Sequence, residues 1–113
     1  MKLPNTAETQ VDREKITGYL LSTLHPDGAG KAAFFSGFGF RADDWAAFAR
    51  ALQQHAIRHD VLSVIESPYG KRYVVEGDLE TPDGRTPMVR TVWIVEKGST
   101  KPRLITAYPV EVP

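Results

Sequence analysis

Five side chains form a loose group whose types could move a proton and hold a phosphate: His25, Lys31, Arg90, Thr106 and Tyr108. Histidine exchanges protons near neutral pH, and at a helix C-terminus it also meets free carbonyl groups. Lys31 follows Gly28-Ala29-Gly30, so a substrate backbone can come close to it, and near a helix start its point charge is joined by free N–H donors suited to a phosphate. Arg90 interrupts the apolar run Met88 to Val95 in register with Val92 and Ile94, which puts it on a solvated sheet face or in a cleft. Thr106 and Tyr108 are expected to share one face of the last strand with Leu104, where their hydroxyls could orient a phosphate or a ribose. Each residue also fits an ordinary role. His25 ends a helix before proline, Lys31 is a solvated helix start, Arg90 pairs with Glu76 or Asp78 across a hairpin, and Tyr108 is a core aromatic with a wet hydroxyl. Taken singly the ordinary roles are favoured, and it is the joint occurrence that points to chemistry.

Other chemistries lack their residues. There is no cysteine, which excludes disulfides, thiolate catalysis and cysteine-based zinc or iron–sulfur sites. Gly28-Ala29-Gly30-Lys31 has the wrong spacing for a phosphate-binding P-loop, and Ala32 stands where a hydroxyl would hold magnesium. His55 and His59 are four apart on one predicted helix with no obvious acidic third ligand, and read as a solvated helix face rather than a metal site. No Gly-x-Ser-x-Gly elbow exists. No cofactor or metal is therefore expected. Lys and Arg balance Asp and Glu seven to seven from Met1 to Asp60 and again from Val61 to Pro113, which argues against non-specific duplex binding but leaves room for a few placed cations.

The elements that must position these residues follow from periodicity. The 113 residues, 42% hydrophobic and 25% charged, suit one domain with one core. Residues 1–10, with their Pro, Asn and Thr, are expected to form a loosely held arm. Asp12 is the predicted N-cap of a first helix, stapled by Val11 and Ile16, carrying Ile16, Tyr19, Leu20 and Leu24 on one face and stopping at His25 before Pro26. A turn over His25-Pro26-Asp27-Gly28 leads to a short second helix, Lys31 to Phe35, closed by Gly37 and Gly39. A third helix capped by Asp43 buries Trp45, Phe48, Ala49, Leu52 and Ala56. Predicted strands then cover Leu62–Glu66, Arg72–Leu79, Met88–Glu96 and Arg103–Val110, with turns at Pro68-Tyr69-Gly70 and Thr81-Pro82-Asp83-Gly84. The expected fold is α+β, with about three N-terminal helices on one face of a four-stranded antiparallel meander. No signal peptide or membrane span is read in the sequence, and the protein is expected to be cytoplasmic with no membrane partner.

Met1-Lys2-Leu3-Pro4-Asn5, Gly18-Tyr19-Leu20-Leu21, His25-Pro26-Asp27-Gly28, Lys31-Ala32-Ala33-Phe34-Phe35 and Arg103-Leu104-Ile105-Thr106-Ala107-Tyr108-Pro109 resemble a group of small uncharacterised bacterial domains, over nearly the whole chain. The order of helices and meander, with an early His/Lys pair and a late Thr-Ala-Tyr-Pro strand, is more distantly similar to the barnase, EndoU, colicin and RelE assemblage of metal-independent ribonucleases. That resemblance implies attack of an RNA 2′-hydroxyl on the adjacent phosphodiester, in a toxin-like protein held by a cognate inhibitor. It implies His25 as acid or base, Lys31 and Arg90 as phosphate ligands, and Thr106 and Tyr108 as orienting hydroxyls. The alternative is a non-catalytic module on the same fold that binds a protein or small ligand. A homodimer through a sheet edge is a further expectation.

Overall fold

Alternation of apolar and polar residues in the second half of the chain builds β1 (Val61–Ser67), β2 (Gly70–Asp78), β3 (Met88–Glu96) and β4 (Arg103–Pro109). They pair antiparallel in sequence order, as expected of strands joined by short connections. The computed structural model describes residues 1–26 and 29–110. Tyr73, Val75 and Gly77 of β2 stand opposite Trp93, Thr91 and Val89 of β3, and all six are buried on one face, under the helices. Arg72, Glu76, Arg90 and Val92 alternate onto the other, more open face, where Val74 and Ile94 are nevertheless buried.

β4 departs from the expected alternation. Thr106 pairs with Val92 but Leu104 pairs with Trp93, so Ile105 is an extra residue in the ladder. A bulge of one residue reverses the side-chain alternation beyond it. Leu104 and Ala107 are therefore both buried on the helix side, whereas Thr106 and Tyr108 go to the open face and do not share a face with Leu104.

Helix α3 (Trp45–Arg58) carries the apolar stripe read from the sequence, burying Phe48, Ala49, Leu52 and Ala56. Asp43 does not cap it. A 3-10 turn over Ala42–Asp44 precedes the helix, and the Asp43 carboxylate is held by the Arg41 guanidinium at 2.7 and 2.9 Å. Nor are His55 and His59 a solvated pair. His55 is 1% exposed, on the same stripe as Leu52 and Ala56. Its Nε2 lies 3.1 Å from Gly77 O and 3.0 Å from Val89 O, which can only accept, so Nε2 carries the proton. Nδ1 then accepts from the Thr91 hydroxyl at 3.1 Å, and Thr91 Oγ1 accepts from Trp93 Nε1 at 2.9 Å. Every polar atom in this buried chain is satisfied. His59 is half-buried and donates to Asp78 O at 2.8 Å. Its ring occupies the space beside Gly77, where an added Cβ would fall 2.2 Å from Cγ.

Helix α2 (Ala29–Gly37) runs longer than the predicted Lys31–Phe35. Gly39 closes it as expected, at φ 103°. Phe40 N donates to Phe35 O and Gly39 N to Ser36 O, the paired bonds of a Schellman motif, and the Phe35 and Phe40 rings meet across it. The first helix differs most. α1 (Arg13–Lys15) passes directly into a π turn, Ile16–Leu20, and ends there instead of reaching His25. The wide turn is closed by Leu21 N donating to Ile16 O, which buries Leu21 in the place expected for Leu24. Leu24 is 91% exposed. The turn predicted over His25-Pro26-Asp27-Gly28 lies partly outside the described residues, but Ala29 N donates to His25 O at 3.1 Å across it.

Residues 1–10, read as a loose arm, make definite contacts. Leu3 joins the core, Met1 O accepts from Val61 N, and the chain at Gln10 pairs with β4 through Pro102 O and Leu104 N. Among the described residues no helix is long and apolar enough to cross a membrane.

Two outcomes follow from the α3 contacts. Burial pushes the His55 imidazole below its ordinary value of 6.5, against the two carbonyls and the Asp78 charge, which favour the proton. As pH falls below about 6.5 the unfolded chain takes a proton that the folded chain refuses, so this share of stability is complete above that pH and lost below it. The urea midpoint should drop between about pH 7 and about pH 5, and His55→Leu should flatten that slope while costing about 3 kcal/mol through the stranded Thr91 and carbonyl groups. Gly77→Ala should lower stability by about 1–3 kcal/mol in the same assay, because the His59 ring must move.

Candidate functional site

Three elements meet at the β4 edge. The π turn presents Tyr19, the first turn of α2 presents Lys31, and the residue after the β4 bulge is Thr106. Lys31 Nζ donates to the Tyr19 hydroxyl in a short bond and to Thr106 Oγ1 at 3.1 Å, and the two hydroxyls are 3.2 Å apart. The three polar atoms form a closed triangle. His25 stands against the same tyrosine, its ring edge-on with centroids 4.9 Å apart, and Lys15 Nζ lies 5.4 Å from the ring centroid.

Burial alone would raise the Tyr19 phenol above its ordinary value. The hydrogen bonds from Lys31 and Thr106 and the charges of Lys31 and Lys15 outweigh it, and the net effect is a lowered pKa. The triangle closes one end of an open groove of about 890 Å³ lined by Tyr19, His25, Thr106, Arg13, Lys15 and Arg103, with Asp12 and Glu14 also present. Arg13, Lys15 and Arg103 stand against Asp12 and Glu14 in the groove, and Arg103 is also paired with Glu96 at 3.0 Å, so its charges are close to balanced. His25 and Tyr19 both line the groove.

Of the five residues singled out in the sequence, Lys31 and Thr106 are in direct contact and His25 is one ring away. Arg90 and Tyr108 do not line the groove. They oppose each other on the open sheet face, one pair along from Thr106, and the Arg90 guanidinium is taken by Glu76 at 2.9 Å. Glu76 first, and Tyr108 after it, raise the Arg90 pKa above its ordinary value. This is the cross-hairpin pairing named as the ordinary role for Arg90.

Sequence reasoning missed Tyr19, which counted there as one more member of an apolar helix face. A signal was available, since a tyrosine that packs its ring against a core normally finds a partner for its hydroxyl. Arg13, Lys15 and Arg103 carried no such signal, because they are brought together only by the π turn and the Gln10 pairing. Among the described residues no three His, Asp or Glu side chains gather as metal ligands.

No curated protein matches this chain. Among solved structures, a chain from a contact-dependent growth inhibition toxin and immunity protein complex of Klebsiella pneumoniae 342 superposes with a TM-score of 0.73 at 19% identity, over 95% of this chain and 97% of that one. At that identity the likeness shows a shared fold. A family model matches residues 2–111, almost the full length, and the chain belongs to the family described as a domain of unknown function, DUF6883.

Proposed function

We propose that this domain is a toxin-like ribonuclease that cleaves RNA by attack of a 2′-hydroxyl on the adjacent phosphodiester, without a metal. The observation that carries the reading is the triangle of Lys31, Tyr19 and Thr106 beside His25, at a groove that Arg13 and Lys15 also line. A phosphodiester in that groove has cations along its charge and a histidine within reach to move a proton. His25 acts as acid or base, Lys31 supplies charge through the Tyr19 and Thr106 hydroxyls that it holds, and Thr106 orients the phosphate. Arg90 and Tyr108, on the sheet face next to Thr106, hold a flanking part of the RNA strand and take no part in the chemistry. The fold shared with a chain of a toxin and immunity protein complex supports both a toxin-like role and a cognate protein inhibitor as partner.

A second reading, partner binding without catalysis, is favoured by β1. This edge strand is solvent-exposed from Leu62 to Glu66, with Leu62, Val64 and Ile65 all uncovered, and beyond the Met1 bond at Val61 its outer edge can accept another protein strand or a second copy of the chain.

Purified protein should cut RNA, leaving 2′,3′-cyclic phosphate ends, and leave DNA of the same sequence intact. His25→Ala should lower the rate about 100-fold or more, and expression of wild type but not of His25→Ala should arrest growth. Arg90→Ala should raise KM and change kcat less than about threefold, as expected of uniform binding. Intact RNA and equal, harmless expression of both forms would replace this reading with the binding module.

A further inference from the structure

Lys31 does not line the groove, whereas the two hydroxyls that it holds do. Its charge therefore reaches a bound molecule through Tyr19 and Thr106. Of those two, the phenol is by far the stronger acid, so it is the one whose proton such donors can loosen. The Tyr19 oxygen sits where an ammonium and a hydroxyl can both donate to it, the arrangement that favours a phenolate. Its ring is half-buried against the core and fixed on its far side by the closed π turn, so the oxygen has a defined position. His25 completes a pair of proton-exchanging groups at one end of the groove.

We propose that Tyr19 is the catalytic base: its oxygen, set between Lys31 Nζ and Thr106 Oγ1, accepts the proton of the attacking 2′-hydroxyl. This assignment rests on the RNA-cleaving reading. As the 2′-oxygen forms its bond to phosphorus, its proton passes to the Tyr19 phenolate. The bond from phosphorus to the 5′-oxygen breaks with its electron pair on oxygen, and that oxygen takes a proton from the His25 imidazolium. The products are a 2′,3′-cyclic phosphate and a 5′-hydroxyl, with tyrosine neutral and histidine neutral. Exchange with water returns both groups to their starting states. Lys31 is a positioning residue in this scheme, acting on the substrate through the tyrosine it holds acidic.

The test uses the full chain and a single-stranded RNA oligonucleotide. Tyr19→Phe keeps the ring and its packing, and should lower kcat about 100-fold or more while affinity for the uncleavable 2′-deoxy oligonucleotide stays within about threefold. Matched thermal unfolding of the two proteins excludes a folding defect. Fluorotyrosine at position 19, a more acidic phenol, should move the base limb of the pH–rate profile to lower pH, and Lys31→Met should move it to higher pH. A merely structural hydroxyl would move neither limb. Cleavage by Tyr19→Phe near the wild-type rate, or a profile unmoved by fluorotyrosine, overturns the assignment and leaves the ribonuclease reading standing. Absence of cleavage by the wild type overturns both.

Discussion

The imidazole of His55 is the joint on which the architecture turns. It reaches from the last turn of α3 into the sheet and bonds the backbone of β2 and β3 at once, while its other nitrogen closes a chain through Thr91 to the Trp93 indole. A buried polar chain of this kind rigidifies only if every member is satisfied, and here every member is. Apolar packing alone would let α3 slide or turn slightly over the pleats, since burial has no direction. The hydrogen bonds do have direction. They set one depth and one rotation for α3, and Gly77 lets the neighbouring His59 ring sit flush with the strand. Phe48, on the same helix, then fixes Phe35 and Phe40 through ring contacts, which sets the position of α2 and hence of Lys31.

A second constraint acts at the opposite edge of the sheet. Had β4 kept strict alternation from Leu104, position 106 would have turned under the helices and position 105 away from them. The extra residue at Ile105 lets Leu104 and Ala107 remain in the core while Thr106 stands at the rim, where Tyr19 and Lys31 reach it. Bulges are common beside functional sites for this reason, because they redirect one side chain without dismantling the core. The Gln10 segment lies along the same edge and covers part of it. The groove is thus built from α1 with its π turn and from the last strand, two parts of the chain far apart in sequence.

The fold was largely legible because it rests on local, repetitive signals. Arg72 to Leu79 alternates, and the α3 stripe keeps helical spacing from Trp45 to Ala56, so both elements appear close to where periodicity put them. Features that depend on distant partners were not legible. Nothing near His55 in the sequence reveals that Thr91 and two strand carbonyls await it, so a histidine pair at spacing four reads as surface. The bulge at Ile105 is invisible in Arg-Leu-Ile-Thr-Ala-Tyr, where every residue is an ordinary strand former. For the site, Lys31, Thr106 and His25 could be chosen by residue type, but Arg90 could not be told from a surface ion pair, and Tyr19 was concealed by its own suitability for a core.

The π turn over Ile16–Leu20 has one more consequence. It holds more residues than the 3.6 of an α-helical turn, and each residue of a helix turns the chain by roughly 100°. The turn acts as a phase adjuster between two parts of one segment. Ahead of it, Arg13 and Lys15 are aimed at the groove, and behind it Leu20 and Leu21 are anchored in the core. Shortening the segment by a single residue would rewind it and swing the leading cations away, with Lys31 and Thr106 left in place. The charges that line the groove therefore depend on the length of this stretch, separately from the residues that stand at its end.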